Sequence, residues 1–372
     1  MTAAAPPPLA SAGAPAPAAR AESEATYVAF ASGAAGAVYG LIVALVAPGL
    51  LFADGATSFA LWAAAGSGAI AAVTSGIGYW RSRALAGQEW RRSLAAWKFA
   101  VNVISVVIVH TVLAFIEAYV IYRLIGLGFI GLPVGVFWSI VMMAVTVGMT
   151  AQLVYLSVSK MTTQRMSSLL RTFIAFGIIT AMVIAPDPNW WKVHFSLLGT
   201  FDDLSSVFFN GSLIAGGLLV TTFAVYIAHD MTALVDAGVL TTRRSPRIVS
   251  TLFVVMGAAF AGVGIVPVDV SRILHDIAAL ALAAMFLALL IAGPRLLRGM
   301  PRTYFLSAGA ILAATLGSVV GYVFGFFTLT AVEIVVFVLI FGWISVFIRF
   351  LGVAGEPDGI PLRSLGSRSS QA

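Results

Sequence analysis

Apolar residues run in blocks long enough to cross a bilayer, which takes about 20 mostly apolar residues in a helix. Short polar connections separate the blocks. Ten segments meet that length: residues 26–52, 57–80, 99–124, 127–158, 170–186, 207–228, 248–267, 274–293, 304–327 and 328–350. The pattern predicts an all-α fold, a polytopic transmembrane helical bundle of ten spans. Two of the predicted reversals, near Gly126 and near Phe327, leave almost no loop. Residues 1–24 are rich in Pro and Ala, with neither a basic start nor an apolar core. They read as a disordered tail rather than a signal peptide. The expected organisation is this tail, a four-span N-terminal part over 25–160, a six-span domain over 161–352 and a cytoplasmic tail over 353–372.

The stretch Pro186–Gly211 (PDPNWWKVHFSLLGTFDDLSSVFFNG) interrupts the alternation. Its apolar residues are broken by Ser196, Asp202, Asp203, Ser205 and Ser206, so it is too polar to span and too apolar to float freely. Non-helical backbone at membrane depth needs protein or water around it, and a water-filled vestibule is the expectation. Trp190 and Trp191 fall where interfacial aromatic belts form. A second outward turn echoes the first. Ile184-Ala185-Pro186-Asp187 leads to His194, and Ile265-Val266-Pro267-Val268-Asp269 leads to His275, each His eight residues after its Pro. Two spans separate the turns, so both face the same side, and a duplicated hairpin and chance similarity both remain open.

Composition agrees with the pattern: 60% of residues are hydrophobic and 10% charged, against roughly a quarter charged in soluble domains. The chain has no cysteine, which excludes a disulfide framework, a thiolate metal site and a Cys nucleophile. The net charge of +6 would suggest nucleic acid in a soluble protein. Here the positive charge is spread over loops and tails as a topology signal, and no nucleic-acid partner is expected. With both termini inside, all of the 21 basic residues except Arg123, Lys192 and Arg272 fall on the cytoplasmic side, as the positive-inside rule requires. Asp54, Glu117, Asp187, Asp202, Asp203, Asp269, Asp276 and Glu333 fall outside or in the outer half. Arginine outnumbers the three lysines, Lys98, Lys160 and Lys192, which suggests a GC-rich bacterial genome and placement in the cytoplasmic (inner) cell membrane.

Small residues four apart, Gly36/Gly40 and Gly317/Gly321/Gly325, let helix backbones approach closely. They fit packing within one bundle and, as the alternative, a helix-mediated homo-oligomer. The basic, Trp-bearing loop Arg81–Lys98 suits a short interfacial segment that anchors the neighbouring spans, or one that meets anionic lipid. The expected partners are membrane lipids.

Candidate ligand-binding residues gather at the outer rim: His194, Asp202, Asp203, Ser206, Asn210, Asp269, Arg272, His275 and Asp276. Within the spans, His110, Glu117 and Glu333 are the polar groups, and charge at that depth calls for a partner or water. This constellation supports three readings. A transporter or sensor would use the rim and the intramembrane groups to handle a lipid-like or small amphipathic ligand. A membrane-embedded lipid hydrolase would hold a divalent metal through His194 and His275, although no tight ligand spacing such as HExxH is present. In the third, the rim is structural and the protein serves assembly. No cofactor is expected under the first reading. A Ser205, His194, Asp203 triad can be written down, but no nucleophile elbow supports it.

Phe195-Ser196-Leu197-Leu198-Gly199, Phe209-Asn210, Gly216-Gly217, Gly264-Ile265-Val266-Pro267 and His275 carry a resemblance. The six spans over 168–350 resemble the bacterial membrane-protein domain of unknown function family 998, distantly similar to Frag and DRAM type proteins. The family often has Ser-Asp-Leu-Gly where this chain has Ser196-Leu197-Leu198-Gly199. The resemblance implies a membrane-embedded bundle with an extracytoplasmic polar site, in a family associated with lipid-related membrane processes. It implies no activity.

Overall fold

The computed structural model describes residues 17–52, 58–85 and 87–354. The remainder of the expected tails, residues 1–16 and 355–372 with Arg363 and Arg368, lies outside the described residues, as does Asp54. Among the described residues, ten helices are long and apolar enough to cross a membrane. They are α1 Pro17–Val46, α2 Phe59–Arg81, α3 Ala96–Gly128, α4 Val136–Ser159, α5 Thr163–Ile184, α6 Leu204–Asp236, α7 Ser245–Ile265, α8 Arg272–Leu296, α9 Arg302–Val323 and α10 Leu329–Ala354. The protein is therefore an all-helical, multi-pass membrane-type chain.

Local chemistry sets the helix ends. Ser58, Thr162, Asp203 and Ser271 cap α2, α5, α6 and α8 by accepting backbone N–H groups of the first turn, the usual remedy for its unpaired donors. α5 and α7 stop at Ile184 and Ile265, just ahead of Pro186 and Pro267, because the residue before a proline is driven out of the helical region.

Three boundaries differ from the sequence reading. α1 begins at Pro17, inside the stretch read as tail: Glu24 accepts from Arg20 one turn earlier, at 3.1 Å, and from the Tyr155 hydroxyl at 2.6 Å. α3 runs on to Gly128, and α4 starts only at Val136. Between them Gly131 adopts a positive φ of 72°, and the apolar Leu132–Val134, read as the start of a span, instead pairs in extended form with Gly49–Leu51 (Leu51 N–H to Leu132 O, 2.8 Å; Val134 N–H to Gly49 O, 3.1 Å). α9 ends at Val323, and the reversal occupies 324–328 around Gly325.

The chain divides into two compact units, Met1–Arg92 with His110–Lys160, and Ser93–Val109 with Met161–Ala372. The boundary passes within α3. Its first half counts with the second unit, where the Thr222 hydroxyl donates to Ser105 Oγ at 3.0 Å and Ser105 reaches the Leu218 carbonyl at 3.2 Å.

In the first unit α1 lies directly on α4. A Cβ on Gly36 would sit 2.7 Å from Met143 O and one on Gly40 2.5 Å from Ser139 O, and the Ser139 hydroxyl donates to Gly40 O at 2.7 Å. The small-residue face of α1 is thus filled within the unit. In the second unit α6 and α7 touch the same way: a Cβ on Gly217 would lie 2.4 Å from Gly257 O, and one on Gly257 2.6 Å from Gly217 O. Aromatic rings fill the space between α6, α7, α8 and α10, with Phe253 stacked on Trp343 and Trp343 on Phe347. Such close approach replaces the hydrophobic drive that lipid removes.

Candidate functional site

The site lies at the end of the second unit where α5 and α7 finish and α6, α8 and α10 start. The segment between α5 and α6 forms two short 3-10 turns, Trp190–Lys192 and Phe195–Gly199. Phe195 anchors the second. Its ring is buried among Trp190, Phe209 and Phe337, with centroids 6.2, 5.2 and 5.7 Å away. Its backbone N–H donates to Glu333 Oε2 of α10 at 2.6 Å. With the ring locked in place, the next residue, Ser196, is presented to α8.

There it meets His275, which is only 5% exposed. His275 Nδ1 is 2.9 Å from the Val266 carbonyl, and Nε2 is 3.0 Å from Ser196 Oγ. A carbonyl only accepts, so Nδ1 carries the proton, and in the neutral ring Nε2 accepts from the serine hydroxyl. One imidazole thereby ties the end of α7, the start of α8 and the Phe195–Gly199 turn together. Asn210 Nδ2 of α6 donates to Gly199 O at 2.7 Å, and the backbones crowd here: a Cβ on Gly199 would lie 2.4 Å from Asn210 Oδ1 and one on Gly264 2.6 Å from Asn210 O.

Around this buried knot sit the remaining candidates. His194, half-buried, opens the Phe195–Gly199 turn. Its pKa is lowered from the usual 6.5, first by burial and then by the proximity of His275 and the Arg272 guanidinium, with Asp276 opposing. Arg272 and Asp276 form a 3.7 Å pair one helical turn apart, with side chains 82% and 56% exposed. Such an exposed pair contributes little to stability. Asp276 lies within electrostatic range of Glu333. His194, Arg272, His275, Asp276 and Glu333 therefore converge.

The other candidates have separate places. Asp203 caps α6 through the N–H groups of Ser205 (2.9 Å) and Ser206 (3.4 Å), and the Ser206 hydroxyl turns back to Asp203 O at 2.9 Å. Asp202 and Asp269 are exposed. The Ser205 hydroxyl donates to Ala181 O at 2.9 Å, so the paper triad has its serine and its aspartate both committed to the backbone. In the first unit His110 is buried with Nε2 3.0 Å from Ser157 Oγ, while Glu117 is exposed. Although seven residues apart on one helix, they do not share an environment.

For a divalent metal, both ring nitrogens of His275 are already engaged. Among the described residues, no three His, Cys, Asp or Glu side chains come together to hold an ion. The sequence reading did not place Ser196 among the site residues. Its one signal was its position as the hydroxyl in Phe195–Gly199, between residues that are otherwise apolar or glycine.

No curated protein and no solved structure matches the chain. The stretches that meet in this knot, 195–199, 209–210, 264–267 and His275, are four of the five that carried the family resemblance; Gly216-Gly217 lies further along α6. Residues 169–349, the C-terminal part of the chain, match the model of the family described as Protein of unknown function (DUF998).

Proposed function

We propose that this end of the second unit faces the extracytoplasmic side and binds the polar head of a lipid-like or small amphipathic ligand, which the protein transports or senses. The observation that supports the reading is a change of surface character along α8. Arg272 and Asp276 stand exposed beside His194, and Ile273, Ile277 and Leu280, at helical spacing, present an exposed apolar strip that starts among them. A head group meets charge and imidazole while its tail follows the strip. Recognition falls to His194, Arg272 and Asp276, because His275, Ser196 and Glu333 are occupied in holding the turn.

The test uses the purified full-length chain in neutral detergent, titrated with a single-chain lysophospholipid and with a fatty acid, and reads the melting temperature. Binding by either should fall about tenfold in His194→Ala or Arg272→Ala, the scale of losing one charge-assisted hydrogen bond. Equal stabilisation of wild type and both variants would overturn the reading. Stoichiometric zinc that disappears in His194→Ala would replace it with the metal-dependent hydrolase.

A further inference from the structure

Guanidiniums gather at two places. In the first unit Arg20, Arg81, Arg83 and Arg92 line an open cavity of about 430 Å³ with Glu24 among them, and Glu24 pairs with Arg20 at 3.1 Å and with Arg81 at 3.3 Å. In the second unit they lie along the seam where α5 and α10 run side by side. There Arg171 of α5 donates to the Ser345 hydroxyl of α10 and, at 3.1 Å, to the Ser168 hydroxyl one turn back on its own helix. Two turns toward the start of α5, a Cβ on Gly352 would lie 3.0 Å from Gln164 Nε2. The two helices are therefore antiparallel, with Gln164 opposite Gly352 and Arg171 opposite Ser345. Arg349 follows Ser345 by one turn on the same face of α10 and is exposed. Among the described residues, no carboxylate pairs with Arg171 or Arg349, and Asp230 of α6, which reaches the start of α5, is engaged by Thr163.

The depth of Arg171 gives that charge its significance. A span takes about 20 residues, and counting so many inward from Ile184, where α5 ends, reaches the level of Arg165. Arg171 therefore lies inside the span. Its two hydroxyl partners are neutral, and a charge held at that depth calls for an opposite charge or water. Guanidinium forks match phosphate oxygens two at a time. The surroundings narrow the ligand further. Outward of Arg171 and Ser345 the flanks of the seam are small and apolar: Ala175 and Ile179 on α5, Gly342 and Val338 on α10, all of them exposed. Inorganic phosphate has no use for such a track, whereas an acyl chain does. By the positive-inside rule the arginine end belongs on the cytoplasmic side, where anionic head groups concentrate.

We propose that the seam between α5 and α10 is a binding site for the phosphate-bearing head of an anionic phospholipid, with an acyl chain laid outward over Ala175, Ile179, Gly342 and Val338. Arg171, held by Ser168 and Ser345, is the inner donor, and Arg349 meets the head group from the helix end. The site uses other helix faces than the α8 rim and does not depend on what binds there.

The full-length protein in neutral detergent is titrated with phosphatidylglycerol, phosphatidylcholine and inorganic phosphate, and retention is read by native mass spectrometry alongside the melting temperature. Phosphatidylglycerol should be preferred over phosphatidylcholine. Arg349→Gln, at an exposed position, should lose about fivefold of that preference and Arg171→Gln/Arg349→Gln about 30-fold, at roughly fivefold for each arginine facing an anionic head. The Arg171→Lys/Arg349→Lys variant keeps the charge, controls for folding and should retain most of the preference. Arg243→Gln/Arg244→Gln removes two exposed arginines from the turn before α7 and should leave the preference nearly unchanged. Equal retention of the two lipids, an unchanged preference in Arg349→Gln with its lipid-free melting temperature intact, or a loss in the Arg243→Gln/Arg244→Gln control as large as at the seam overturns the proposal. A melting shift from inorganic phosphate that equals the phosphatidylglycerol shift overturns the lipid assignment in favour of a free-phosphate site.

Discussion

The polar end of the second unit and the basic end of the first are built from different residue types and arranged differently. At the His275 end, the polar groups of the knot find partners in the fold: the imidazole has Val266 and Ser196, the Glu333 carboxylate has the Phe195 N–H, and Asn210 has Gly199. At the Arg81 end, four guanidiniums meet one carboxylate around open space. Where the fold satisfies its own polar groups, mutation should cost stability. Around that open space, mutation of an exposed arginine such as Arg92 should leave folding nearly untouched.

The sharpest way to break this contrast is His275→Ala. It leaves the Val266 carbonyl and the Ser196 hydroxyl without their partner and opens a void, so thermal unfolding in detergent should show a loss of about 2 kcal/mol. An unchanged melting temperature would mean that the knot is not structural. Glu333→Gln is milder, since the amide oxygen still accepts from Phe195 but the charge is gone. About 1 kcal/mol or less is expected, with Glu333→Ala costing more. If Gln and Ala behave alike, the Phe195 bond contributes nothing.

The smallest effect is the pH dependence of His194. Its folded pKa lies below the usual 6.5, so near that value the unfolded chain binds the proton more readily. Stability is full above about pH 6.5 and declines as the pH falls through that value, levelling off below the depressed folded pKa. The flanking groups are His275, Arg272 and Asp276. Melting temperatures between pH 7.5 and 5 should fall less in His194→Gln than in wild type, and equal slopes would show that His194 does not titrate differently on folding.

Much of the fold was legible in local sequence. Pro186 and Pro267 mark the ends of α5 and α7 because proline acts on the residue before it. Leu132–Val134 misled because apolar residues beside a Gly and a Pro serve an extended pairing as well as a span, and only Gly49–Leu51 opposite them decides which. The distance after Pro186 and Pro267 singled out only His194 and His275, while Arg272 and Asp276 entered simply as charged residues of the same outward turn. Ser196 was not legible, since one hydroxyl among apolar residues says nothing about what faces it. Nor does the chain signal that α3 divides between units, because Ser105 finds Leu218 and Thr222 more than a hundred positions away.

Span number, approximate span positions and the bias of positive charge followed from the sequence by itself, because hydropathy over some twenty residues is a local sum. Only the tertiary structure decided that His275 is buried and tautomerically set while His194 stays half-open. The same holds for α4, which fills the glycine face of α1, and for the guanidiniums gathered around a cavity from separate elements. Those outcomes depend on which backbones lie within a few ångströms of one another, and residue order along a single helix does not encode that distance.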